Sequence, residues 1–224
     1  MRSLAPVKVT VKLKAVVPAL PSFADTLLIE NTGAGQMADE VEITLDASGI
    51  VTVHTVAKAQ DHGHETTYGL IVARALGLPL ERVRIVQCLP GMTIKGNHTG
   101  GSRSTVGAGS VCHLAAQKLI EHGKALAALE MKLEPSQISY AEGVFSSAQS
   151  TQRIALAALA KSKAITLKAD GTFGSTFPNG CHIVEVEVDA ETGVTAVASY
   201  CAVDDCGEVI HHGIVEGQLH GGVM

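Results

Sequence analysis

A chain of 224 residues with 46% hydrophobic and 17% charged residues can build one or two domains with a substantial core, which excludes wholesale disorder. Its formal charge of -5, from 17 Lys and Arg against 22 Asp and Glu without a basic run, offers nucleic acid no electrostatic footprint, and 3% aromatics with no Trp leave few stacking platforms. The 23 glycines point instead to tight turns and close backbone approach.

From Met1 to Phe23, the residues Val7, Val9, Val11 and Leu13 interleave with Lys8, Lys12 and Lys14. That is strand alternation and not the unbroken apolar core of a signal peptide, so export is not indicated and a cytoplasmic location is expected. No stretch approaches the roughly 18 apolar residues needed to cross a membrane. Five widely spaced cysteines, Cys88, Cys112, Cys181, Cys201 and Cys206, contain no CxxC pair, which suits a reducing compartment and argues against a disulfide framework or structural zinc.

Val41, Ile43 and Leu45 alternate with polar residues, Asp46-Ala47-Ser48-Gly49 makes a turn, and Val51, Val53 and Thr55 return: a hairpin. A polar stretch, Gln60-Asp61-His62-Gly63, leads into a helix over Glu65 to Leu76, closed by Gly77 and Pro79. A short strand follows at Val83 to Val86. Cys88 to Ser104 has no apolar period and reads as a long loop of the kind that is often functional. From Thr105, the positions Ala108, Val111, Cys112, Ala115, Ala116, Leu119 and Ile120 give the clearest helix, ending near Met131 to Pro135. The expectation continues with a hairpin of Gln137 to Tyr140 and Val144 to Ser146, a short helix at Arg153 to Ala160, and a strand at Ala164 to Lys168. The strand His182 to Val188 then turns at Asp189 to Gly193 into a returning strand, Val194 to Val203. Asp204-Asp205 ahead of Cys206-Gly207 reads as a strand-end turn. No repeat or low-complexity linker divides the chain. Hairpins alternating with helices indicate an α+β fold of mixed sheets packed with helices, not a parallel doubly wound sheet. The last ten residues, with Gly217, Gln218, Gly221 and Gly222, stop without a helix terminator, and the chain is expected to be cut short there.

Two segments carry the chemistry. In Thr99-Gly100-Gly101-Ser102-Arg103-Ser104-Thr105 the glycines permit close approach to a ligand, the hydroxyls cap or donate, and the start of the following helix favours an anion, with Arg103 adding charge. A phosphate-bearing ligand fits; a bare turn with Ser104 or Thr105 as helix cap is the equal alternative. It is no P-loop, since GxxxxGK[ST] is absent. In the second segment, His62, His64 and Glu65 invite a metal, but His-x-His-Glu supplies no complete ligand set. Gln60, His62 and Thr66 suit hydrogen bonding to a polar heterocycle better.

Together these segments resemble the molybdenum-cofactor-binding large subunit of the xanthine dehydrogenase and aldehyde oxidase family. His62-Gly63-His64-Glu65-Thr66-Thr67-Tyr68 resembles the family's GQGHET segment, and Glu81 to Gln87 with Thr99 to Thr105 resembles its RVRVVQGDT and TGGSRST pair. Thr176 to His182, Glu185 to Gly193, Asp204 to Gly207 and Glu216 to Gly222 complete a similarity from about Ile29 to Met224. On this reading residues 1–26 are an unmatched segment and 27–224 a partial molybdopterin-binding domain.

The resemblance implies that Gly101, Ser102, Arg103, Ser104 and Thr105 meet the phosphate end of molybdopterin or of its dinucleotide form. It also implies that Gln218 hydrogen-bonds the pterin and that His62, beside Gly63, stands where the family has glutamine. It implies hydroxylation of an aldehyde or N-heterocycle with water as oxygen source, in an oligomer whose partner subunits carry iron–sulfur centres and FAD. The family's catalytic glutamate is expected beyond the last residue, so no catalytic residue is assigned. The implied function is a partial cofactor-binding subunit that does not catalyse alone; the alternative is a relic or scaffold that keeps the fold without cofactor. Asp61-His62-Gly63 for GQG and Cys88-Leu89-Pro90 for GDT are departures from the pattern. Such a portion is expected to expose an apolar face and to associate.

Overall fold

The computed structural model describes residues 7–12 and 20–224. In chain order its elements begin with β1 (Val7–Lys12), β2 (Leu20–Ile29), β3 (Met37–Leu45), β4 (Val51–Thr55), α1 (His64–Leu76), β5 (Val83–Gln87) and α2 (Ser110–Met131). They continue with β6 (Ser139–Ala141), β7 (Val144–Ser147), β8 (Ser150–Ala155), β9 (Ile165–Phe173), β10 (Asn179–Val188), β11 (Thr195–Asp205) and α3 (His212–Val223). The fold is α+β, as expected. Leu13 and Lys14 of the N-terminal alternation lie outside the described residues; Val7–Lys12 is a strand.

The chain divides into two compact units, Gly33–Ser175 and the pair of segments Met1–Thr32 and Thr176–Met224. In the first, β5-β4-β3-β9 form a mixed sheet. The β3–β4 hairpin is closed by Asp46, whose Oδ1 accepts the amides of Ser48 (2.8 Å) and Ile50 (3.0 Å). β4 and β5 run parallel, with α1 as the crossover between them. Val41, Ile43, Leu45, Val51 and Val53 alternate onto one face and are fully buried beneath α1 and α2. From α2 the stripe Val111, Cys112, Ala115, Ala116, Leu119 closes the core; its small residues let helix and sheet approach closely. Burial of this kind pushes the Cys112 thiol up to about 12, with Asp39 adding to the shift, so Cys112 packs as an apolar residue. The small sheet β6-β7-β8 inserts Phe145 against α2, where a Cβ on Gly123 would stand 2.3 Å from the Phe145 ring.

Several boundaries differ from expectation, three of them in this unit by more than a residue or two. Arg153 to Ala160 is not one helix: residues to Ala155 form β8, and Leu156–Ala160 is a 3-10 turn. The alanines favour a helix locally, but Ile154 pairs with Phe145 and the Leu156 amide bonds Gly143 O at 2.8 Å, so tertiary pairing overrides propensity. β9 continues past Lys168 to Phe173 because β3 begins at Met37 and offers the extra length for pairing. The long helix starts at Ser110, preceded by a π-helical turn over Thr105–Gly109 in which the Gly109 amide bonds Ser104 O at 3.0 Å.

In the other unit, β1-β11-β10-β2 make an antiparallel sheet. The β10–β11 hairpin turns on Asp189, whose Oδ1 accepts the amides of Glu191 and Thr192, with Gly193 left-handed at φ 72°. Its register pairs Val188 with Thr195 and shifts between Glu185 and Val186. The final residues form α3, with Gly217, Gly221 and Gly222 inside it.

Candidate functional site

The helix α1 begins without a side-chain cap. Asp61 (φ 62°) and Gly63 (φ 67°) are both left-handed, which bends the chain sharply into His64. The Gln60 amide donates to His62 Nδ1 at 3.2 Å, so the proton of a neutral His62 ring sits on Nε2, leaving one N–H donor on an exposed side chain. Gln87 ties this turn to the sheet: its Oε1 accepts the Ala59 amide (2.5 Å), and its Nε2 donates to Glu65 Oε1 (3.3 Å).

His64 is 4% exposed and stacks on Tyr68 with ring centroids 5.0 Å apart. Burial lowers its pKa, a hydrogen bond with the Ala57 backbone acts in the opposite direction, and neighbouring His62 lowers it further. Its Nδ1 is buried without a hydrogen-bond partner. Among the described residues no three of His, Cys, Asp or Glu gather as a metal-ligand set.

The second turn lies in the same unit and is joined by two hydrogen bonds to the segments on either side of the first. Thr99 Oγ1 donates to Lys58 O at 2.5 Å, and Tyr68 Oη donates to Ser104 O at 3.2 Å. Burial of Tyr68 raises its phenol pKa, so it stays a donor. Gly101 (φ 61°) and Ser102 (φ 54°) are consecutive left-handed residues, both exposed, with Gly101 O accepting the Gly33 amide at 2.6 Å. An added Cβ at Gly101 would meet nothing nearer than Arg103, 3.5 Å away, so glycine there answers backbone conformation, not crowding.

Arg103 is turned inward: Nε donates to Gly100 O (2.7 Å) and Nη1 to Asn97 Oδ1 (3.5 Å). Ser104, at the start of the π-helical turn, makes no side-chain cap bond. Within this turn the Gly107 and Gly109 amides are already taken, by Arg103 O (2.8 Å) and Ser104 O (3.0 Å), and the Ser110 amide by Gly107 O, so the helix-opening donors are those of Ser104 and Thr105. With the hydroxyls of Ser104 and Thr105 beside them, this donor set fits an anionic group, so the residues present suit the phosphate end of a molybdopterin.

His62, Gly63 and the stretch Gly101 to Thr105 lie in one unit, and Gln218 is exposed on α3 of the other. Sequence patterns gave no role to Asp39 or Asn97, which support the second turn from below: the Asn97 amide donates to Asp39 Oδ1 at 2.7 Å. The available signal was an acidic residue on the apolar face of β3.

Comparison with known proteins agrees with these motifs. A family model described as "Molybdopterin cofactor-binding domain" matches residues 21–224. The carbon monoxide dehydrogenase large chain of Hydrogenophaga pseudoflava is 32% identical over 220 residues, covering 93% of this chain and 27% of that one. The nicotine 6-hydroxylase large subunit of Paenarthrobacter nicotinovorans is 32% identical over 201 residues, covering 83% and 25%. Among solved structures, quinoline 2-oxidoreductase from Pseudomonas putida 86 superposes with a TM-score of 0.78 at 29% identity, covering 91% of this chain and 29% of that one. CO dehydrogenase from Oligotropha carboxidovorans superposes with 0.81 at 28%, covering 90% and 28%. The chain spans about a quarter of the length of the curated relatives named here. On the family match and the motifs that agree with it, the chain belongs to the molybdopterin cofactor-binding domain family, that of the molybdenum hydroxylase large subunits.

Proposed function

We propose that residues 27–224 hold the phosphate end and pterin of a molybdenum cofactor within a hydroxylase that acts on aldehydes or N-heterocycles. The observation that carries this reading is the junction of two glycine turns, some forty residues apart in sequence, through Thr99–Lys58 and Tyr68–Ser104. When bound, the cofactor supplies a redox-active molybdenum centre that hydroxylates a carbon with oxygen from water.

The chain's own contribution is binding and orientation. The amides of Gly101, Ser102, Arg103, Ser104 and Thr105, with the two hydroxyls, donate to the phosphate. Nε2–H of His62 donates to a pterin acceptor, Gly63 permits close approach, and Gln218 supplies a further amide contact. Arg103 shapes the turn through Gly100 instead of pairing with the anion. The dinucleotide form is accommodated by the same donors at a pyrophosphate. Turnover requires the other parts of a large subunit and subunits with iron–sulfur centres and FAD, in the cytoplasm; this portion does not catalyse alone. Relatives bearing the names large chain, large subunit and complex subunit gamma support such an assembly. Among the described residues no helix is long and apolar enough to cross a membrane.

The test is metal and pterin analysis of the chain expressed in a molybdenum-replete host, with and without a co-expressed upstream portion. Stoichiometric molybdenum in either sample supports the reading, and its absence from both sinks it. A second reading, a scaffold that keeps the fold without cofactor, draws on one observation: the Arg103 guanidinium is committed to Gly100 and Asn97. It predicts that a Ser102→Ala, Arg103→Ala variant binds and assembles like wild type.

A further inference from the structure

We propose that Asp39 is the positioning residue of the 99–105 turn, its buried carboxylate setting, through Asn97 and Arg103, the left-handed backbone that meets the anionic end of the cofactor. The inference rests on the reading of that turn given above and deepens it.

β3 alternates Met37, Asp39, Val41, Ile43 and Leu45 onto its buried face, so a carboxylate stands where the pattern calls for an apolar side chain. Asp39 is only 5% exposed. A buried carboxylate persists only when it is hydrogen-bonded, and here the bonds come from the loop. Asn97 donates its amide to Oδ1 at 2.7 Å and Nδ2 to Oδ2 at 3.2 Å, and Nδ2 also reaches Ala38 O at 2.9 Å.

Two glycines make the approach possible. A Cβ on Gly96 would stand 2.8 Å from Oδ1, and one on Gly107 would stand 2.4 Å from Oδ2. The loop and the π-helical turn ahead of α2 therefore converge on one carboxylate. Asn97 passes the constraint on: its Oδ1 accepts Arg103 Nη1 at 3.5 Å, and Arg103 Nε donates to Gly100 O at 2.7 Å. The residues directly after Gly100 are the left-handed pair Gly101 and Ser102. Oriented hydrogen bonds of this kind specify a loop conformation where apolar burial cannot, because the loop has few side chains to bury.

The experiment uses the full chain, co-expressed with the upstream portion in a molybdenum-replete host. It reads three quantities: pterin per chain, amide hydrogen exchange over residues 97–107 and Tm. In Asp39→Asn, two side-chain NH2 groups confront each other at position 97, and pterin content is expected to fall roughly tenfold, the loss of a charge-assisted hydrogen bond. Exchange over 97–107 rises at the same time. The swap Asp39→Asn with Asn97→Asp restores a donor facing an acceptor and brings back part of the pterin, the bond from position 97 to Ala38 O being lost. Ile154→Ala, which opens the core at β8, lowers Tm at least as much yet keeps its pterin. If Asp39→Asn fails to fold, Gly107→Ala, which displaces the carboxylate without removing it, gives the same loss.

Asp39→Asn loading like wild type, or a swap no better than the single variant, overturns the proposal alone. So does pterin loss that merely tracks Tm across all variants. A wild type that holds no pterin overturns the reading of the turn and the proposal with it.

Discussion

The two units bury their side chains to very different degrees. In Gly33–Ser175 the apolar faces of β3, β4, α1 and α2 close on one another, and large side chains, Tyr68, Phe145 and Leu119 among them, are cut off from solvent. In the unit built of the terminal segments, the ladder is complete, yet among the described residues only Ala202 is a buried hydrophobic. Leu27, Ile29 and Ile183 share one face by register and are 81%, 75% and 47% exposed. Among the described residues, side-chain burial dominates the first unit and backbone pairing the second. The exposed apolar face expected from sequence is present on the second.

That contrast is open to attack, beginning with the largest effect. Phe145→Ala, measured by urea unfolding, is expected to cost about 3–5 kcal/mol, because its ring is fully buried against α2. A loss below 1 kcal/mol would mean that the first unit is not core-driven. Gly123→Ala sets a methyl into that same ring, and overpacking of about 1–3 kcal/mol is expected to outweigh the better helix propensity of alanine, about 1 kcal/mol.

A smaller effect is read by pH. The pKa of His64 in the folded chain lies below its unfolded value, so above the unfolded pKa, near 6.5, both states leave it neutral and no stability depends on it. As pH falls through that value the unfolded state takes up a proton that the folded state resists, and stability drops. Denaturation midpoints at pH 7.5 and 5.5 are expected to differ less in His64→Gln than in wild type; equal differences would remove the argument.

The smallest effect belongs to the exposed face. Leu27→Ser with Ile29→Ser is expected to change stability by no more than about 0.5 kcal/mol. The same change reduces self-association in size-exclusion chromatography, where the wild type is expected to elute ahead of a monomer. A wild type that runs as a clean monomer contradicts the exposed-face argument.

Several elements were legible because their signals are local. The α1 stop needed only Gly77, whose left-handed φ of 58° caps the helix as glycine does. The hairpin turn at Asp46 to Gly49 and that at Asp189 to Gly193 are carried by side chains bonding amides two to four residues on. The boundary at Arg153 was illegible because Phe145 and Gly143, not its own neighbours, decide it. At the site, glycine spacing marked both turns and the motifs agreed with the family. Nothing local indicated that Arg103 turns inward, since that depends on Asn97 and Gly100 being in place.

The sequence by itself determined the alternations, the turns, the α+β order of elements and, through its motifs, the family. Those properties are written in residues a few positions apart, where sterics and hydrogen bonding are short-ranged. Only the tertiary structure decided that Lys58 meets Thr99, that Tyr68 reaches Ser104, and that a lone aspartate on an apolar strand face anchors the loop above it. Such contacts arise from the packing of α1 and α2 onto the sheet, which brings distant segments together by burying area that no single segment specifies.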